Sequence, residues 1–299
     1  MAPHPEPLFL RFEPGPLGLR FALHHVPPGA VRGLVVYVHP FAEEMNKSRR
    51  MAALQSRALA AAGFAVLQVD LLGCGDSAGD FGDATWARWV SDVAQACRWL
   101  RERSGAGAAD APLWLWGLRA GCLLAAEAAP LLGEPCNFLF WQAPTSGKPL
   151  LQQFLRLKAA GDLLGGQGKA LMEQLRSDIA AGKGVEVAGY MLHPELCLGL
   201  ERATLQPPVL LGGAAGQVVW LEVSPRAGAG LSPAALTAVG KWTAAGWSVE
   251  ARPIEGPAFW QTVEIEEAPC LLAASTAASM SASASSAAPA LLAATRQAA

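Results

Sequence analysis

Gly33 to Val38 reads GLVVYV, a continuous run of strand-forming residues without polar-apolar alternation. A strand of that kind has no solvent face, so it belongs at the centre of a sheet covered on both sides. Similar runs follow at Phe64 to Val69, Leu113 to Trp116 and Phe138 to Trp141. Between them, Asn46 to Ala62 has helical spacing and stops at Gly63, a residue favoured just past a helix end. A second helix, from about Ala84 to Arg103, gathers Trp86, Trp89, Val93, Ala96, Cys97 and Leu100 on one face. Strands alternating with helices at this pace predict an α/β fold with a mostly parallel central sheet and helices on both faces. Ahead of it, Leu8 to Phe12 and Leu19 to His25 flank Glu13-Pro14-Gly15-Pro16, a hairpin signal.

Beyond Trp141 the rhythm changes. Residues 145–203 read mainly as helices with glycine breaks, and strand signals return only at Val218 to Val223 and Ser248 to Ile254. Between those two, Ser232-Pro233 has the form of an N-cap followed by proline at the first helical position. The pattern predicts a core built from residues 1–144 and 204–272, with a helical lid inserted over 145–203. Residues 273–299 are almost wholly Ala and Ser with a few Leu and present no periodic apolar face, so a disordered tail is expected there.

A formal net charge of −2 over 299 residues argues against nucleic acid as the main partner. Mean hydropathy is +0.26, which raises the question of a membrane span. The most apolar stretch, Leu113 to Ala129, is broken by Arg119 and Glu127, and no run of about 18 apolar residues exists. Met1-Ala2-Pro3-His4-Pro5-Glu6 has neither a basic nor an apolar leader region, so a soluble, cytoplasmic protein is expected. The six cysteines lie far apart with no CxxC pair, which predicts buried free thiols and no metal site. No cofactor is expected either.

Three features fall where a hydrolase built on such a sheet would place its machinery. Trp116-Gly117-Leu118-Arg119-Ala120-Gly121-Cys122 has the G-x-x-x-G frame of a nucleophile elbow, whose glycines permit a tight turn and close helix–strand approach. His39-Pro40-Phe41 directly follows the GLVVYV strand, where an oxyanion-hole N–H is supplied. The strand ending at Asp70 runs into Gly73-Cys74-Gly75-Asp76-Ser77. In this order and spacing, residues 8 to 265 resemble the α/β-hydrolase superfamily. The finer likeness is to the type 2 hydrolases associated with exosortase A systems. It is carried by Pro40-Phe41-Ala42-Glu43-Glu44-Met45-Asn46-Lys47-Ser48-Arg49-Arg50-Met51, Gly117-Leu118-Arg119-Ala120-Gly121 and Gly256-Pro257-Ala258-Phe259-Trp260. That resemblance implies a bacterial cytoplasmic protein whose relatives accompany exopolysaccharide and protein-sorting genes.

The superfamily holds Ser, Cys or Asp at the elbow; this chain holds Arg119. A guanidinium stays protonated and has no lone pair for attack. The fold's chain order is nucleophile, acid, histidine, yet the only histidine after Arg119 is His193, inside the expected lid. Where the histidine would follow the last strand stands Gly256-Pro257-Ala258-Phe259-Trp260, and the alternative acid position after Trp141 offers Gln142, Thr145 and Ser146. No catalytic residue is assigned on this reading.

Arg119 at a helix N-terminus needs a carboxylate or an anionic ligand nearby. Two arrangements remain open: a buried ion pair with Glu43 or Glu44, or a pocket in which Arg119 and the N–H groups of Phe41 and Ala120 hold a carboxylate or phosphate. Trp260 would wall such a pocket. Cys122, one turn after Arg119, and Glu44, as a base for water, are the residual candidates for chemistry. His39 is expected as a satisfied core histidine, and Ser77 as a turn cap. Three function classes follow: a pocket for an anionic or acyl-linked small molecule without Ser-His-Asp chemistry, an ester or thioester hydrolase with a non-standard nucleophile, or a scaffold for export or polysaccharide machinery with a protein partner.

Overall fold

A computed structural model describes residues 5–161, 168–211 and 216–281. Eight strands form one sheet: β1 (Glu6–Arg11), β2 (Leu19–His25), β3 (Gly33–Val38), β4 (Phe64–Val69), β5 (Leu113–Leu118), β6 (Cys136–Trp141), β9 (Gln217–Ser224) and β10 (Ser248–Glu255). Their order is β1-β2-β4-β3-β5-β6-β9-β10, and every pairing is parallel except β1–β2 and β2–β4. The α/β-hydrolase architecture read from the sequence is thus present. GLVVYV is buried along its whole length between β4 and β5, as a run without alternation requires.

The two sheet faces bury different side chains. Leu34, Val36, Val38, Leu115, Phe138, Phe140 and Trp220 meet α2 (Trp86–Ser104), α3 (Ala120–Ala128) and α7 (Pro233–Ala244). Val35, Tyr37, Trp114, Trp116, Leu139 and Trp141 meet α1 (Glu43–Ala61) and a last helix, α8 (residues 269–281). Helix boundaries follow local chemistry. The Thr85 side chain accepts from Arg88 N–H and the Ser232 side chain accepts from Ala235 N–H, each satisfying a donor that the first turn leaves open. Under the loop after β4, Asp92 accepts from Arg20 Nε (2.7 Å) and Nη2 (3.0 Å) and from Leu72 N–H, so β2, α2 and that loop share one buried ion pair.

Between β6 and β9 the chain forms α4 (Lys148–Gly161), α5 (Gly168–Ala180), a hairpin of β7 (Val185–Val187) and β8 (Tyr190–Leu192), and α6 (Pro194–Arg202). The helical reading of this stretch missed the hairpin, whose three-residue strands are too short to show a period. His193 caps α6, its Nδ1 accepting from Glu195 N–H.

The disordered tail expected from Ala273 is corrected for residues 273–281. They continue α8, with Leu271, Ser275, Ala278 and Ser279 buried. Residues 282–299 lie outside the described residues. Ser275 Oγ accepts from Trp141 Nε1 (2.8 Å) and donates to Leu271 O, while Thr276 Oγ1 accepts from Gln55 Nε2. Small side chains let α8 approach α1 and β6 closely, and hydroxyls answer buried donors there. No hydropathy period reveals such a face.

Ser275→Ala leaves the buried Trp141 N–H without an acceptor. We expect a loss of about 1–3 kcal/mol in urea-unfolding free energy, against a change within about 0.5 kcal/mol for the exposed control Ser281→Ala.

Candidate functional site

The turn from β5 to α3 is forced by close packing. A Cβ at Gly121 would stand 2.0 Å from Val38 O, and one at Gly117 would stand 2.6 Å from Cys122 N. Both positions therefore exclude every other residue, and α3 begins against the ends of β3 and β5. Arg119 sits at the apex with φ 54° and ψ −119°, a conformation that costs a non-glycine residue about 1–3 kcal/mol. Its backbone is pinned on both sides, N–H to Trp141 O (3.0 Å) and C=O to Cys122 N–H (2.9 Å). Ala42, which precedes α1, has nearly the same dihedrals, φ 50° and ψ −126°. The two tight turns thus aim the starts of α1 and α3 at one point.

At that point the guanidinium meets Glu44. Arg119 Nη2 donates to Glu44 Oε1 at 3.1 Å, and Nε lies 3.3 and 3.4 Å from the two carboxylate oxygens. The side chains are 13% and 11% exposed. Nη2 also donates to Gln153 Oε1 (3.2 Å) from α4, and the Trp260 ring lies 5.8 Å from Cζ. A cation over an indole face is favourable by roughly 0.5–2 kcal/mol. Of the two carboxylates expected near Arg119, the structure selects Glu44. Glu43 makes no ion pair with Arg119; its Oε2 is buried without a hydrogen-bond partner.

Burial raises the Glu44 carboxyl above the ordinary glutamate range, with the Arg119 charge as the largest opposing influence. Burial likewise raises Glu43, and the neighbouring Glu44 charge adds to it. A cavity of about 40 Å³ opens here, lined by Phe41, Glu43, Glu44, Leu150, Gln153, Phe154 and Leu157. The Phe41 and Phe154 rings meet edge to face at 5.2 Å, so α4 lies over the elbow. The N–H groups of Phe41 and Ala120 donate to no other described residue. Trp260 is buried, and its Nε1 has no hydrogen-bond partner. Phe41, Ala120, Glu43, Glu44, Arg119 and Trp260 therefore all belong to one locality. Gln153 completes it, although nothing in the sequence of a surface-patterned helix singles that residue out.

The candidates for chemistry fare differently. Cys122 is fully buried, its Sγ lies 3.6 Å from Trp141 O, and burial pushes the thiol far above the ordinary range despite Arg119 nearby. An enclosed, protonated thiol is a poor nucleophile, and this burial favours Cys122 as an apolar filler of α3. His39 is held through both ring nitrogens: Nδ1 donates to Pro40 O (2.8 Å) and Nε2 accepts from Leu71 N–H (3.3 Å). Burial lowers its pKa, so it remains neutral. Ser77 Oγ bridges Phe21 N–H and Asp70 O, a structural hydroxyl as expected. After β6, Gln142 takes φ 49°, and its Oε1 accepts from Val223 N–H (2.7 Å), joining the ends of β6 and β9. His193 stands at the start of α6 and makes no recorded contact with Arg119 or Glu44. Among the described residues no group of His, Cys, Asp and Glu is arranged to hold a metal ion, and no helix is long and apolar enough to cross a membrane.

Residues 29–169 match a family model described as Hydrolase_4, serine aminopeptidase, S33. Protein ABHD12B of Homo sapiens is 28% identical over 225 residues, 66% of this chain. The chain spans 57% of that relative's length. Est1E from Butyrivibrio proteoclasticus, in its ferulic acid-bound structure, superposes with a TM-score of 0.63 at 13% identity, covering 88% of this chain and 95% of that one. Carboxyl esterase 2 (TmelEST2) from the mycorrhizal fungus Tuber melanosporum gives a TM-score of 0.56 at 14% identity, over 94% and 85% of the two chains. At such identities these structures speak for the fold alone. Sheet order, helix placement and the elbow turn agree with these likenesses, and the chain has the α/β-hydrolase fold.

Proposed function

We propose that this chain binds an acyl-linked small molecule at the elbow and does not hydrolyse it by Ser-His-Asp chemistry. The observation that carries this reading is the Arg119 guanidinium at the apex of the β5–α3 turn, already engaged by Glu44 and Gln153. Around it, the loop after β10 offers Phe259 and Trp260 in place of a proton-transferring residue. The finer likeness to exosortase A system-associated hydrolases adds the expectation of a cytoplasmic protein acting alongside exopolysaccharide or protein-sorting machinery.

Of the two ligand chemistries, the acyl group fits better than the anion at neutral pH. Phe41 N–H and Ala120 N–H are free to meet a carbonyl oxygen, and Phe41, Leu150, Phe154 and Leu157 offer apolar wall to a short acyl chain. Arg119 is neutralised by Glu44, and Glu43 faces the same cavity, so an anion meets two carboxyls for one guanidinium. Protonating Glu44 reverses that balance. Its folded-state pKa is raised, so the charged form is lost, as pH falls, earlier than for an ordinary glutamate. Ionised Glu44 therefore costs stability above its folded pKa, and the folded state gains through the window down to the ordinary glutamate value.

A second reading, ester hydrolysis by water activated at Glu44, is favoured by that same raised carboxyl, a base closer to neutral pH than a solvated one. It lacks a partner acid beside Glu44 other than Glu43.

A fluorophosphonate probe is expected to leave the protein unlabelled, and p-nitrophenyl acetate to turn over no faster than in its absence. Arg119→Ser is expected to stay inactive, since no imidazole is placed to take the serine proton. Labelling of any serine in the wild type overturns the proposal, and ester turnover abolished by Glu44→Gln establishes the second reading.

Sulfate is expected to raise the melting temperature by more at pH 5 than at pH 8, through linkage to the state with Glu44 protonated. In Glu44→Gln the pH dependence of the sulfate shift is expected to shrink to the part contributed by Glu43. A shift that grows with rising pH contradicts the assignment.

A further inference from the structure

A second, larger cavity of about 190 Å³ lies on the opposite side of α1's first turns, between that helix and the strands β2, β3 and β4. It shares no lining residue with the cavity at Arg119. Phe21 and Leu23 of β2, Val69 of β4 and Met45 of α1 supply apolar wall. Its polar lining is Tyr37, His39, Arg49, Gln68 and Asp70, with both ring nitrogens of His39 already engaged. The Tyr37 hydroxyl lines the space, has no hydrogen-bond partner among the described residues, and is not among the fully buried polar atoms. Gln68 gives its Oε1 to His25 Nε2 (2.9 Å), which leaves its amide N–H groups as donors without a described acceptor. At the rim, Arg49 Nη2 donates to Asp70 Oδ2 (3.2 Å), a pair that cancels its own charge.

Size and chemistry together restrict what such a space takes. A purely apolar cavity of about 150 Å³ stays dry and accepts benzene, so this one has room for a single ring with a small substituent. Aromatic and thioether walls favour an aromatic body, and the mutual neutralisation of Arg49 and Asp70 removes the attraction for a charged one. The Tyr37 hydroxyl and the Gln68 amide N–H groups, all on the lining and none used by another described residue, are available to bond a ligand hydroxyl there. We propose that this cavity is a second binding site, for a small neutral phenol or comparable ring alcohol, whose hydroxyl bonds Tyr37 and Gln68. The site stands independently of the acyl-binding reading at Arg119.

Phenol and toluene, titrated calorimetrically into the full-length protein, test it. Phenol is expected to bind saturably with one site per chain, about tenfold more tightly than toluene. Tyr37→Phe is expected to bring phenol down to the affinity of toluene, leaving toluene within twofold of the wild type. Ala53→Leu, on the solvent-facing side of the lining, fills the space and is expected to abolish binding of both. Sulfate at pH 5 is expected to leave phenol binding unchanged. Absence of saturable binding, equal affinity for toluene and phenol in the wild type, undiminished binding in Ala53→Leu, or displacement by sulfate each overturns the proposal. If Tyr37→Phe does not fold, the phenol-to-toluene ratio and Ala53→Leu decide the question alone.

Discussion

The pairing of Arg119 with Glu44 is the interaction on which the site is built. Three unfavourable circumstances meet at residue 119: a strained backbone, a cation at the start of a helix, and partial burial. Each alone is small, but an unpaired guanidinium there would add several kcal/mol. Glu44 reaches it only because α1 starts beside the elbow, and α1 starts there only because Ala42 makes the same sharp turn as Arg119. Gly117 and Gly121 in turn let α3 close onto β3 and β5. One ion pair thus joins the central sheet, α1, α3 and, through Gln153, the segment between β6 and β9.

The Phe41 and Ala120 N–H groups, which donate to no other described residue, are in our proposal the donors that meet a carbonyl oxygen. Arg119 at the apex of the turn can donate but never attack. On the proposed reading, recognition of an acyl group is retained while bond cleavage is not. The cost shows in the carboxyls: Glu43 and Glu44 are both pushed toward protonation by burial, and Glu43 Oε2 has no hydrogen-bond partner among the described residues. Uncompensated polar groups of this kind mark sites whose residues are selected for something besides stability.

Much of this was legible in the sequence because it rests on short-range rules. Continuous apolar runs located the parallel strands, Ser232-Pro233 located α7, and the Gly-x-x-x-Gly frame located the elbow. That residue 119 is Arg and that no histidine follows His193 are facts of the sequence itself. Two kinds of information were not. Helix α8 packs through Ala and Ser, and hydroxyl-to-tryptophan bonds such as Ser275 to Trp141 leave no hydropathy period. The choice of Glu44 over Glu43, and the arrival of Gln153, depend on helix phase and on tertiary placement of α4. Cys122 stood as a residual candidate beside a cation, and its burial, which outweighs that charge, is seen only in the coordinates.

A double-mutant cycle between positions 119 and 44, read by urea unfolding at pH 7, tests the central claim most directly. The wild type, Arg119→Ala, Glu44→Ala and the double variant are compared, so that helix propensity and lost packing cancel. The account predicts a coupling of about 1.5–3 kcal/mol, as for a largely desolvated, hydrogen-bonded charge pair. A coupling below about 0.5 kcal/mol would mean that the two side chains do not hold each other in solution, and the elbow would not be occupied as described.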